Sequence, residues 1–380
     1  MAEQPDELTA AFARVEDPVL FHLIGDLGVL RNVEASRRAI VVHVDIPVTA
    51  EDYPASGELR RRIEAARPKG EERTVSVQLH PVDEEGRKAL GERIVALDAH
   101  DEAPLTAASA GSARTNPFAT RTSKTRVLGI ASGKGGVGKS SVTVNLAVTL
   151  ARLGHAVGIL DADIYGFSAP RMLQVGYPPL VLGHTIVPPV AHGVRCISMG
   201  FFVDEDKAVA WRGPMLHKAL EQFLVDVHWG PLEFLLVDMP PGTGDVALSV
   251  GQQLPSAELY VVTTPQLGAA RVAMRAGALA RQLRHPLRGV IENMSWFTAP
   301  DGTRHALFGT GGGQHLAEGL DAPLLAQIPL VPNYGAGAED GVPAVIADPE
   351  GEIAKSFEDL AAKIVSSGPS RVYRSELSIS

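Results

Sequence analysis

The 380-residue sequence contains a single cysteine, Cys196. One thiol excludes an intrachain disulfide, a cysteine-rich zinc site and an iron–sulfur cluster held by two or more cysteines of one chain. The chain also lacks an excess of positive charge: 35 Lys+Arg against 44 Asp+Glu leave a formal net charge of −9. That balance argues against broad electrostatic binding to nucleic acid or to an anionic membrane. The opening MAEQPDELTAAF has neither a basic n-region nor an apolar h-region, so it does not read as a secretory signal. No uninterrupted apolar run approaches the roughly 18 residues that a bilayer span needs. What is present is 45% hydrophobic and 21% charged, the balance of a globular protein with a sizeable core. The expectation is a cytoplasmic protein with no nucleic-acid or membrane partner.

The chain changes texture twice. Residues 1–98 read as a small α+β unit. Within it, 39–46 (AIVVHVDI) and 74–79 (TVSVQL) alternate in hydrophobicity as strands do, and 56–66 between them has helical spacing of Leu59, Ile63 and Ala66. Ser56 stands where a helix start is expected, and 83–97 reads as a closing helix. The Arg60–Arg62 run reads as a solvated helix face. Residues 99–124 are rich in Ala, Ser, Thr and Pro without periodicity, the composition of a flexible linker. From 125 to 366, short apolar segments alternate with helical stretches: 127–131, 156–160, 234–237, 259–263, 288–291 and 326–328. That alternation predicts an α/β domain with a mostly parallel sheet flanked by helices. A last helix is expected over 353–365, followed by a polar tail at 367–380.

The strongest local signal is GKGGVGKS, residues Gly133, Lys134, Gly135, Gly136, Val137, Gly138, Lys139 and Ser140. It fits the phosphate-binding pattern G-x-x-x-x-G-K-[ST] between an apolar strand and a helix beginning near Ser141. The glycines let backbone N–H groups close around phosphate oxygens, and the helix directs its positive end at the same anion. Lys139 is expected to bridge the β- and γ-phosphates of ATP, and the Ser140 hydroxyl to ligate Mg²⁺. Asp161 and Asp163 follow the strand AVGIL; Asp163 is the candidate to orient the attacking water, with Asp161 assisting. Asp238 closes the strand FLLV, a carboxylate placed for the Mg²⁺ shell, and Gly242 and Gly244 beyond it suit a second switch. The Asn293 amide offers a donor and an acceptor to an adenine edge.

Lys134, directly after the first glycine, completes a deviant Walker A motif that resembles the MinD/ParA/Mrp group of NTPases. In that group the extra lysine reaches the partner's nucleotide, which implies a homodimer here. The ordered series GKGGVGKS, DADIYG, WRGPM, LLVDMPPGTGD, TTPQ, IENMS, LFGTGGG and IPL resembles the Mrp/ApbC ATPases, known as iron–sulfur cluster carriers. Asp17-Pro18 and Asp26-Leu-Gly-Val29 resemble the MIP18-like small domain of iron–sulfur assembly proteins. The resemblance implies a P-loop ATPase that delivers a cluster to apo-proteins. The chain departs from that family at the cluster ligands. Ala299 and Gly302 stand where a C-x-x-C is usual, Tyr53-Pro54 stands for a frequent Cys-Pro, and Phe167 follows DADIYG in place of Pro. Cys196, His305 and His315 read as ordinary structural residues, and no iron–sulfur ligand is identified. The alternative readings are a nucleotide-gated client-binding switch without a cluster, using a surface around Trp296 and Phe297, and a MinD/ParA-like positioning ATPase.

Overall fold

Val and Ile alternate along Ala39–Ile46, and burial follows the same period of two: every second side chain is fully enclosed. This strand, β2, lies between β1 (Leu30–Ala35), antiparallel to it, and β3 (Thr74–Pro81), parallel to it. The parallel pairing needs a crossover, which is supplied by α2 (Ser56–Ala65). Leu59 and Ile63 of α2 are buried. Ser56 is the first residue of that helix and not its cap; the cap position is Ala55, in the left-handed region at φ 55 with no side-chain bond. The helices α1 (Glu7–Ala13) and α3 (Glu84–Asp101) complete this part of the chain.

The computed structural model describes residues 7–101, 116–120, 123–163, 166–202, 213–331 and 341–369. Ile164-Tyr165, Trp211-Arg212, much of the expected linker and all but the first residues of the tail lie outside them. The chain divides into two compact units, and the first is discontinuous: it joins the first 113 residues to Pro179–Pro188 and Asp226–Gly230. The domain boundary expected from composition missed both excursions.

The second unit is built on strands buried on both faces, as a parallel sheet covered by helices requires. In chain order its first elements are β4 (Arg126–Ser132), α4 (Lys139–Arg152), β5 (Val157–Asp161) and α5 (Ala169–Met172). The hairpin β6 (Leu180–Leu182) with β7 (Thr185–Val187) belongs to the first unit, where Leu182 and Val187 pack with Ile40, Val42 and Ile94. Then follow β8 (Val190–Ala191), β9 (Val194–Ser198), α6 (Gly213–Val225), β10 (Phe234–Asp238), α7 (Asp245–Gln253), β11 (Glu258–Thr263), α8 (Leu267–Gln282) and β12 (Leu287–Glu292). The last strands and the ninth helix are β13 (Phe297–Thr298), β14 (Arg304–His305), α9 (Gly312–Leu320) and β15 (Leu324–Gln327). The eight-stranded sheet runs β15-β12-β11-β4-β10-β5-β9-β8, with only the β8–β9 pair antiparallel. The strands expected from sequence are all present; β1, β9 and the short hairpins were not foreseen.

The terminal helix Glu352–Ser366 turns Ile353, Phe357, Leu360 and Ile364 into the core of this unit. Its apolar face is therefore covered by its own chain. Among the described residues no helix is long and apolar enough to cross a membrane. Within the linker-like stretch, Phe118 is buried and the Asn116 side chain donates to the Gln253 carbonyl at 2.7 Å.

The first unit is pinned by a buried carboxylate. Asp17, 1% exposed, accepts from the backbone N–H groups of Val19 and Leu20, and the Tyr53 hydroxyl lies 2.8 Å from each of its oxygens. Burial pushes this carboxyl up, against the pull of those donors. Tyr53 thus has a structural task of its own. Tyr53→Phe leaves Asp17 short of a donor and is expected to weaken the unit by about 1–3 kcal/mol. Amide hydrogen exchange along β2 measures this as faster opening; unchanged protection would remove the role.

Candidate functional site

The site forms where β4, β5 and β10 end together. Parallel register places Asp238 beside Ile130 on one side and Asp161 on the other, so two acidic side chains emerge at one level of the sheet. Ligand sites of open α/β sheets lie at this carboxyl edge. β4 stops at Ser132, and the chain turns through Gly136 (φ 80) and Gly138 (φ 78) into α4. These left-handed conformations suit glycine. Gly133 is required for a different reason: a Cβ there would stand 2.4 Å from the Ala273 backbone nitrogen of α8, which cannot yield. Lys134, Gly135 and Gly136 are exposed, whereas Val137 is buried and Ser141 points inward on α4.

Lys139, the first residue of α4, is 6% exposed. Its ammonium donates to Asp238 Oδ1 at 2.8 Å and to Ser140 Oγ at 3.3 Å, and lies 3.5 Å from Asp163 Oδ2. The Thr143 hydroxyl donates to the same Asp238 oxygen at 2.9 Å. Thr143 was not singled out from the sequence, although its spacing of four from Lys139 puts both on one helix face. Asp238 Oδ2 is buried and has no hydrogen-bond partner. A bare carboxylate oxygen beside a serine hydroxyl is a hard-oxygen donor set that fits Mg²⁺.

Asp161 and Asp163 differ in what holds them. Asp161 accepts from the Asp163 N–H through one oxygen, and from the Ser168 and Ala169 N–H groups and the Ser198 hydroxyl through the other. Both oxygens of Asp161 are thus engaged by donors from within the protein. Burial, then the nearby Asp238 charge, push its carboxyl up to about 7, against the opposing pull of Lys139. Burial also raises Asp163, with Lys139 opposing.

Asn293 is buried beside the phosphate loop, its amide nitrogen donating to the Val137 carbonyl at 3.0 Å. That bond uses one of the two amide N–H donors. The residue also explains Gly138, since a Cβ there would meet the Asn293 nitrogen at 2.3 Å. Glu292, the preceding residue, was missed by sequence reasoning. It is 1% exposed and accepts from the Ser295 hydroxyl, the Gln327 amide and the Gly313 N–H. Gly312 and Gly313 are small because α9 starts against Pro265 and Glu292.

The segment Ala299–Gly302, where the sequence reading expected cluster ligands, is a tight turn. The Gly302 N–H donates to the Ala299 carbonyl at 2.9 Å, and Gly302 sits at φ 84. A cysteine at 302 would have to adopt a left-handed backbone. The half-buried Trp296 beside it donates to Glu352, and the Arg304 guanidinium lies 4.3 Å from its ring centroid. Cys196 is fully buried in β9, where burial pushes its thiol well up. His305 and His315 are exposed on separate elements. None of these three belongs to a group of three metal-capable side chains among the described residues.

The Asp161 carboxyl gives the fold a pH dependence with a definite sign. It ionises near 3.8 in the unfolded chain and near 7 in the fold, so the stability gained from its proton is complete below 3.8 and lost as pH rises through about 7. As pH rises from 5 to 8 the melting temperature of the native chain should therefore fall relative to that of Asp161→Asn, by calorimetry. A rise relative to the variant would reverse the assignment.

Comparison with known proteins agrees with this geometry. The ParA family model described as "NUBPL iron-transfer P-loop NTPase" matches residues 123–365. An iron-sulfur cluster carrier protein of Mycobacterium tuberculosis (strain ATCC 25618 / H37Rv) is 45% identical over 361 residues, covering 93% of this chain and 91% of its own length. One from Bacillus subtilis (strain 168) is 48% identical over 239 residues, covering 62% of this chain and 67% of its own. Among solved structures, the nucleotide-binding protein of Archaeoglobus fulgidus in complex with ADP is 33% identical with a TM-score of 0.52, covering 61% of this chain and 91% of that one. The P-loop, the carboxylates at the sheet edge and these matches lead to one conclusion: the chain belongs to the ParA-type family of NUBPL iron-transfer P-loop NTPases.

Proposed function

We propose that this protein is a Mg²⁺-dependent ATPase that works as a cytoplasmic homodimer and carries iron–sulfur clusters to apo-proteins. The observation that carries the ATPase reading is the buried Lys139 ammonium held between Asp238 and Asp163 at the mouth of the phosphate loop. The carrier reading rests on relatives of that name matching 93% of the chain.

Arriving phosphate competes with the two carboxylates for the Lys139 ammonium. The loop N–H groups from Gly133 to Ser141 and the start of α4 receive the phosphate oxygens. Ser140 and Asp238 would hold Mg²⁺, which supplies neutralising charge at the β- and γ-oxygens when bound. Release from Lys139 frees Asp163 to orient water at the γ-phosphate, on a loop shaped by Asp161. The exposed Lys134 reaches across a face-to-face dimer to the partner's nucleotide, adding positive charge as an arginine finger does. The Asn293 oxygen takes the amino group of adenine.

Lys139→Ala is expected to abolish ATP binding, measured with a fluorescent analogue. Lys134→Ala should bind ATP normally and hydrolyse it more slowly by about tenfold or more, within the range assigned to such charge donors. Unimpaired hydrolysis by the Lys134 variant would eliminate the cross-dimer role.

The turn at Ala299–Gly302 favours a second reading, a nucleotide-gated client switch that holds no cluster. Anaerobic reconstitution followed by iron and sulfide counting separates the two. Equimolar iron and sulfide bound to the dimer supports the carrier. A metal-free dimer that retains the same clients in an Asp163→Asn trap supports the switch.

A further inference from the structure

A second constellation of chemistry-bearing side chains lies in the small unit, apart from the nucleotide machinery. His22, Asp98 and His228 come together from positions far apart in sequence. Asp98 Oδ1 is 3.1 Å from His22 Nε2, and its Oδ2 is 2.7 Å from His228 Nδ1. The two imidazoles are stacked, with centroids 5.2 Å apart. The His228 side chain is fully enclosed, while Asp98 is 36% exposed and opens the cluster to solvent.

The bonding around His228 carries an imbalance. Its Nε2 faces the Leu20 carbonyl at 3.0 Å and its Nδ1 faces the Asp98 carboxylate. Both neighbours are acceptors, yet a neutral imidazole has one N–H. With Nε2–H given to Leu20, Nδ1 and the Asp98 oxygen are two acceptors facing each other, a contact that needs a proton or a metal ion between them. Donation of Nε2–H to a backbone carbonyl is how metal-bound histidines are commonly fixed in tautomer and orientation. The opposing face is equally constrained. Asp17 accepts the Leu20 N–H, the Asp17 N–H donates to the His22 carbonyl, and Phe21 between them is held at φ 56. The turn that presents both the Leu20 carbonyl and the His22 ring is thus built around the buried Asp17.

We propose that His22 Nε2, His228 Nδ1 and the Asp98 carboxylate form a binding site for one divalent first-row transition metal ion, Zn²⁺ or Fe²⁺. Two imidazoles and a carboxylate with remaining positions open to water match the donor sets of both ions. The ligand atoms all lie within 4.8 Å of one another. Ligation at about 2.0–2.2 Å in a tetrahedron sets donors roughly 3.3 Å apart, so the ion takes the place of the proton between His228 and Asp98 with a small widening. The site is independent of the ATPase and carrier readings, because none of its ligands belongs to the phosphate loop or the 299–302 turn.

The test uses the full-length protein, stripped with a chelator and titrated by calorimetry with Zn²⁺ alone in air and with Fe²⁺ alone under anaerobic conditions. One ion per chain is expected, with Co²⁺ substitution giving the visible absorption of a low-coordinate site. Asp98→Asn and His22→Gln, at partly exposed positions, should each weaken binding by more than about a hundredfold, beyond the roughly 10–100-fold that losing an outer-sphere partner costs. The control His305→Ala with His315→Ala should bind normally. Binding to Zn²⁺ and not Fe²⁺, or the reverse, names the ion. Absence of stoichiometric binding of either ion, or unchanged affinity in Asp98→Asn and His22→Gln, overturns the site and leaves a hydrogen-bonded histidine–carboxylate cluster in its place.

Discussion

One buried ammonium sets the terms for the nucleotide site. Lys139 stands 2.8 Å from Asp238 and 3.5 Å from Asp163, with Asp161 on the adjacent strand. Two carboxyls at one level of the sheet, with Asp163 just beyond the end of β5, repel one another, and burial raises the energy of each charge. Sheet register brings them together; the lysine at the start of α4 makes the gathering tolerable. The arrangement is poised, since any anion that draws the lysine away also frees the carboxylates. The loop between β5 and α5 depends on the same balance through the four donors that Asp161 accepts.

Much of this was legible in the sequence because it depends on local rules. Apolar runs ending in Asp161 and Asp238 announced buried strands, and the glycines and lysines of the phosphate loop sat between strand and helix. What was illegible depends on distant packing. Gly133 is dictated by the backbone of α8 and Gly313 by Glu292, neither of which any local pattern connects to it. Thr143 and Glu292 looked like ordinary helix and strand residues until their partners were seen. The donors on Asp161 were hidden for the same reason, since Ser168, Ala169 and Ser198 lie outside its motif.

The missing cysteines also look different in three dimensions. A simple substitution would leave the ligand loop ready for reversal. Here the turn has taken a glycine in a left-handed conformation, and Trp296, Arg304 and Glu352 are tied together beside it. In the small unit, Tyr53 belongs to the Asp17 network. Both positions have acquired structural work that a thiol does not perform.

The discontinuity of the small unit bears on the order of events during synthesis. Its core includes Leu182 and Val187, and His228 closes its histidine–carboxylate cluster. A chain emerging from the ribosome cannot finish its first unit until residues of the second have already been made. Long closure of this kind slows assembly and keeps apolar surface exposed for longer. A fragment ending at the apparent boundary near residue 98 would therefore lack part of its own interior, so the two units are separable by compactness but not by scissors.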